Sequence, residues 1–161
     1  MGLDMYLTRK IYVGAEYEHR KVTGTIDIQI DGKPVDIEFK KVSYIEERAA
    51  YWRKANQIHN WFVQNVQGGV DECQPSDVSI EQLRELVELC KKVKAEVVLE
   101  DNTVDGELAD ELLPTTSGFF FGGTEYDEYY MQDIDSTIQQ LEPYISDEKY
   151  KMDEFEYRAS W

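Results

Sequence analysis

Tyr51-Trp52-Arg53-Lys54-Ala55-Asn56-Gln57-Ile58-His59-Asn60-Trp61-Phe62 is the stretch on which the fold turns. At helical spacing, Trp52, Ala55, Asn56, His59, Phe62, Val63 and Val66 share one side, which predicts a core-facing helix over 51–66. Ile58 and Trp61 add a second apolar edge, so that helix is expected to be covered on two sides. Asn56 and His59 stand inside the apolar stripe, where burial obliges them to find hydrogen-bond partners or a ligand. Gly68-Gly69 is a helix-terminating pair.

Upstream, Met1–Val13 reads as a strand, with Leu3, Met5 and Leu7 on one face and Tyr6 and Thr8 on the other. Gly14–Arg20 reads as a polar loop. Thr23–Ile30 alternates, with Ile26, Ile28 and Ile30 expected inward, and Asp31-Gly32 is a hairpin turn signal. Val35, Ile37 and Phe39 return as a second strand expected to reach about Tyr44.

Downstream, Val70–Asp77 reads as a loop containing Pro75. Ser79 and Gln82 fit a capping box opening a helix whose inner stripe is Leu83, Leu86, Val87, Cys90, Val93 and Val97. On that stripe Cys90 is a small buried apolar residue. Asp101–Gly106 breaks this helix, and Glu107–Leu113 gives a short helical turn ended by Pro114. Gly118–Gly123, with three phenylalanines, is either a buried strand or a loop plugging the core. Asp127–Tyr144 is a third main helix, with Tyr130, Ile134, Ile138 and Leu141 inward. Tyr150–Trp161 is expected to form a terminal strand beside the N-terminal one. The expected fold is α+β, a single antiparallel sheet of about four strands with three main helices on it, as one domain over residues 1–161.

Composition narrows the function classes. No apolar run approaches the roughly 18 residues of a membrane span, and Cys73 and Cys90 make no disulfide framework, so a cytoplasmic protein is expected. The net charge is −16, and from Ala95 to Glu148 there is no Lys or Arg but fifteen Asp or Glu. Such a block repels nucleic acid and anionic membranes and attracts basic partners.

The opening Met1-Gly-Leu-Asp-Met-Tyr-Leu7 and the block Tyr51-Trp-Arg-Lys-Ala-Asn-Gln-Ile-His-Asn-Trp-Phe-Val63 form an ordered series. Leu113-Pro114, Gly118-Phe-Phe-Phe-Gly122 and Tyr126-Asp-Glu-Tyr129 continue it. In this series the chain resembles a group of small proteins of bacteriophages and prophages. The resemblance implies a phage setting, in which accessory proteins bind and disable a host system. It carries over no catalytic residue.

Two constellations stand out. On the third helix Glu128, Asp135 and Glu142 recur every seven residues, about 10.5 Å apart along the axis. Rigidly spaced carboxylates can imitate nucleic-acid phosphates, and the plainer reading is a solvated acidic face. On the first reading the protein is a stoichiometric inhibitor without catalysis. Its expected partner is a basic, nucleic-acid-binding host protein, such as a defence nuclease or CRISPR effector. Asp127, Glu128, Asp133, Asp135 and Glu142 would supply the charges and Tyr129 an aromatic anchor. The alternative is a small-molecule or nucleotide-signal binding protein with a pocket of Trp52, Arg53, Asn56 and His59, aided by Lys54. The plainer reading of Asn56 and His59 is a pair tied to hairpin backbone groups. No cofactor is expected, and Cys73, Cys90, His19 and His59 match no zinc spacing.

Overall fold

β1 (Asp4–Tyr12) lies inside the main sheet, paired antiparallel with β4 (Tyr44–Arg53) on one side and β6 (Glu154–Ser160) on the other. A short β5 (Ser76–Val78) adds to β6, giving the order β4-β1-β6-β5. This is a computed structural model, and it describes residues 2–14 and 23–161. The expected loop is therefore described only at Gly14, and His19 lies outside the described residues.

Period-two alternation assigns the faces. Leu3, Met5 and Leu7, Ala50 and Trp52, and Phe155, Tyr157 and Ala159 are all buried on one side of the sheet. On the other side Tyr6, Thr8, Arg48, Glu156 and Arg158 line a shallow, open depression. The covered face carries α1 (Asn56–Asn65), α2 (Ile80–Glu96) and α4 (Glu128–Ser146), with the short α3 (Gly106–Leu112) beside α2. The class is α+β, with three main helices on a four-stranded antiparallel sheet, as the patterning predicts. Stacking of Phe62 on Tyr157, with ring centroids 3.9 Å apart, joins α1 to β6; such pairs add about 0.5–1.5 kcal/mol beyond area burial.

The local signals explain the boundaries. Ser79 and Gln82 form the capping box of α2, and the stripe from Leu83 to Val97, Cys90 included, is fully buried. Burial pushes the Cys90 thiol up to about 12, so it stays protonated. The exposed edge of β4 is closed by a side chain: Gln140 of α4 accepts from the Tyr51 amide at 2.8 Å and donates to its carbonyl at 3.1 Å. The primary amide thus occupies the place of a further strand.

Three expectations need correction. Tyr51, Trp52 and Arg53 belong to β4, and α1 starts only at Asn56. Trp52 fits the helical spacing, but with Ala50 it also fits the alternation of a strand, and pairing with Met5 decides for the strand. The hairpin forms, but as a separate two-stranded sheet of β2 (Ile28–Ile30) and β3 (Lys33–Val35). Among the described residues no layer covers it: Ile28 and Ile30 are 39% and 61% exposed, so the isoleucines expected inward are not core. Its second strand stops at Val35, and a 3-10 turn at Phe39–Lys41 precedes β4. Third, the expected loop Val70–Asp77 gives its last two residues to β5. The segment of three phenylalanines takes the second of its two expected forms, a loop plugging the core: it is a turn in which Phe121 enters the core while Phe119 is 93% exposed.

α1 is, as expected, covered on more than one side: Asn56, Gln57, Ile58, His59, Trp61, Phe62 and Val63 are all buried. No helix among the described residues is long and apolar enough to cross a membrane.

Candidate functional site

The junction between β4 and α1 is a single sharp corner at Lys54. Its backbone is left-handed, with φ 60°, a conformation that costs a non-glycine residue on the order of 1 kcal/mol. Two backbone bonds hold the corner: the Lys54 amide donates to Leu3 at 2.8 Å, and the Asn56 amide donates to the Lys54 carbonyl at 2.9 Å. The loop at 118–123 lies directly over it. A side chain at Gly122 would bring its Cβ within 3.1 Å of the Lys54 Cβ, and Gly122 is itself left-handed at φ 89°. Only glycine meets both demands without rearrangement.

Asn56 fastens that loop. Its Nδ2 donates to the carbonyls of Gly123 at 2.7 Å and Phe121 at 3.2 Å, and its Oδ1 accepts from the Thr116 amide at 2.9 Å. Both of its N–H groups are used, so Asn56 positions backbone and has no donor left for a ligand.

Between this corner and the start of α4 opens a cleft of about 600 Å³. Arg53 and Lys54 of the corner line it together with Glu125, Asp127 and Asp133, as do Gln57, Tyr129, Gly122 and Gly123. Asp133 is the deepest charge. Burial is the largest influence on its carboxyl, followed by an opposing hydrogen bond from Gln57 and then repulsion from Asp127; together these raise it to about 6. The Gln57 amide, itself buried, donates to Asp133 at 3.1 Å. Among the described residues neither Asp133 nor Lys54 has an ion-pair partner, whereas Arg53 stands 3.6 Å from Asp4. The cleft therefore presents an exposed cation without an ion pair and a half-buried carboxylate whose side-chain partner is the Gln57 amide.

His59 belongs to a different place. Its ring is fully buried, Nδ1 lies 2.7 Å from the Tyr157 hydroxyl and Nε2 lies 2.9 Å from Asp71. A carboxylate only accepts, so Nε2 carries a proton; in the neutral ring the Tyr157 hydroxyl then donates to Nδ1. Burial holds the Tyr157 phenol well above its usual range, which keeps that donor protonated. Asp71 is further tied by the Trp161 indole at 3.1 Å. A cavity of about 410 Å³ adjoins this group, walled by Phe119, Phe120, Phe121 and Trp161. The partners of His59 are thus side chains of β6 and of the segment after α1, not hairpin backbone.

Of the four residues expected to form one pocket, Arg53 opens on the first cleft and Asn56 forms its wall. His59 faces the second cavity. Trp52 faces neither: it is buried, and its indole donates to Thr137 at 2.9 Å. The residues expected to contact a partner also divide. Asp127, Tyr129 and Asp133 line the mixed-charge cleft. Asp127 caps α4 by accepting from the amides of Tyr129 and Tyr130. Glu128 is exposed, but Asp135 and Glu142 face α2, where they pair with Lys94 at 2.6 Å and Lys91 at 2.9 Å. The heptad spacing is present, yet two of its three carboxylates are matched by lysines from a neighbouring helix. Among the described residues no group of three or more His, Cys, Asp or Glu is placed to hold a metal ion.

No protein-family model matches the chain. Curated proteins and solved structures likewise give no significant match. Residues missing from the sequence-level pocket are Lys54 as a principal group, Gln57, Glu125 and the paired glycines. Gln57 carried a usable signal, since a polar residue flanked by Asn56 and Ile58 on a helix buried on two sides cannot reach water.

Proposed function

We propose that this protein is a small-molecule-binding protein acting without turnover, and that its site is the cleft between the β4–α1 corner and the start of α4. One observation carries the reading: Lys54 and Asp133 face a common cleft unpaired, held there by a strained corner and a buried amide. Asp133 loses hydration in this concave site without full compensation unless a ligand supplies it, while Lys54 and Arg53 stay exposed beside it, free to meet an opposite charge. A strained non-glycine corner at the same place supports a functional constraint. The test is native mass spectrometry of the purified protein combined with melting in a panel of polar metabolites, nucleotides included. A bound or co-purified compound should raise the melting temperature, and Lys54→Met should remove that rise. A protein without cargo that no compound stabilises would sink the reading.

A second reading keeps the acidic surface as a docking site for a basic host protein, a nuclease or a CRISPR effector. What supports it is the exposed lip at the start of α4, where Glu125, Asp127 and Glu128 surround Tyr129, itself 66% exposed. It is weakened by the lysines that match Asp135 and Glu142. Under this reading Glu128→Lys with Tyr129→Ala abolishes a salt-sensitive complex with such a partner. Retained binding would exclude it.

A further inference from the structure

We propose that the ligand of the Lys54–Asp133 cleft is a small zwitterion, with an amine directed to Asp133 and a carboxylate or phosphate directed to Lys54 and Arg53. The inference rests on the cleft reading above and narrows it to a chemical class. Opposite charges that already met would neutralise each other. Here Lys54, from the β4–α1 corner, and Asp133, from α4, line one cleft without pairing, and neither reaches another ion-pair partner among the described residues. A purely anionic ligand such as a nucleotide would bring its phosphates to Lys54 and Arg53, but it would also face Glu125, Asp127 and Asp133. A simple polyamine would suit the carboxylates and be repelled by the two cations. A molecule bearing both charges satisfies both sides, which is how a polar cleft discriminates between ligands of similar size.

The surroundings of Asp133 give the inference a second handle. Gln57 from α1 donates to it, Asp127 at the start of α4 repels its charge, and Lys54, Arg53 and Glu125 line the same cleft. Its carboxyl titrates at about 6 in the free protein, so amine binding should be strong at neutral pH and weaken as acid protonates it.

The experiment is calorimetric titration at pH 7.5 and pH 5, at fixed ionic strength. The probes are the proteinogenic α-amino acids and phosphoethanolamine, with ethanolamine, putrescine, acetate, inorganic phosphate and nucleoside monophosphates as controls. At least one zwitterion should bind about tenfold or more tightly than the matched amine or anion. Lys54→Met and Asp133→Asn should each weaken it about tenfold at pH 7.5, and Asp133→Asn should abolish the loss of affinity between pH 7.5 and pH 5. Unliganded melting of both variants serves as the folding control. If an anion or nucleotide alone binds as tightly as any zwitterion, the class assignment is wrong while the cleft reading stands. If no zwitterion binds, the assignment is also wrong, and the cleft reading falls with it only if native mass spectrometry finds no cargo either.

Discussion

The two sides of α1 both present polar residues to a cavity, and they differ in whether those residues are already satisfied. On the His59 side, both ring nitrogens are bonded, Asp71 is shared with the Trp161 indole, and the hydroxyl of Tyr157 closes the group. On the Lys54 side, a cation and a carboxylate face open space. Both polar residues of the apolar stripe, Asn56 and His59, are thus satisfied inside the fold, and the charges without an ion pair come from beside it, from Lys54 at the corner and Asp133 on α4. Only counting partners separates the structural hydrogen-bond network from the candidate site.

The comparison breaks first if His59 is not structural. His59→Ala removes a fully buried ring and strands both Tyr157 and Asp71. A loss of about 3–5 kcal/mol in urea unfolding is expected, and the milder Tyr157→Phe should lose about 1–2 kcal/mol. An alanine variant as stable as the wild type would show that this side, too, is held open for something else.

Asn56 lies on the boundary between the two cavities, because the loop it fastens contributes Gly122 and Gly123 to one and Phe119–Phe121 to the other. Asn56→Ala should cost about 2 kcal/mol. Hydrogen exchange should speed up at the Thr116 amide, which loses its acceptor, while the core amides of β1 keep their protection. Uniform acceleration across the chain would instead make the loop part of one global unit.

How far these sides could be read in advance depends on sequence distance. Caps, the Asp31-Gly32 turn and the α2 stripe are local, and each was legible because one short window contains both partners. The strand identity of Tyr51–Arg53 was hidden because the deciding partner is β1, some forty-five residues away. Asp71 lies only twelve residues from His59, but the turn that brings it back passes through Gly68 and Gly69, both left-handed, and nothing in the spacing fixes that path. The heptad of Glu128, Asp135 and Glu142 was visible, whereas the lysines opposite it sit on α2 and were not.

A smaller effect sharpens the other side. The carboxyl of Asp133 is raised on folding to about 6, above its unfolded value of about 3.9. Between those limits the folded state binds more protons than the unfolded one, so this group's contribution to stability is full below pH 4 and is lost as pH rises to 6. Asp133→Asn removes that loss. Its gain should be absent below pH 4, grow between pH 4 and 6 and level off above, at about 1 kcal/mol once solvent screening is allowed for. A variant destabilised at neutral pH would mean that favourable partners of the carboxylate beyond Gln57 outweigh its burial, and the contrast between the two sides would disappear.

The smallest effect concerns the α2–α4 seam, which bears on the acidic surface as a whole. Lys94–Asp135 and Lys91–Glu142 are short pairs, but their side chains are about half exposed. Pairs of this kind contribute roughly 0.2–1 kcal/mol because water competes for both partners and two long side chains must be held still. A double-mutant cycle of Lys94→Ala and Asp135→Ala should therefore give a coupling below about 1 kcal/mol that shrinks with added salt. Their consequence for charge is larger than their consequence for stability. Removing Lys91 and Lys94 leaves Glu128, Asp135 and Glu142 unmatched, converting a largely neutralised seam into the continuous acidic line that the sequence suggests. If the acidic surface docks a basic partner, this double lysine variant should bind it more tightly than the wild type; if the cleft carries the function, small-molecule binding should be unchanged. The same two substitutions thus push the two readings in different directions while hardly touching the fold.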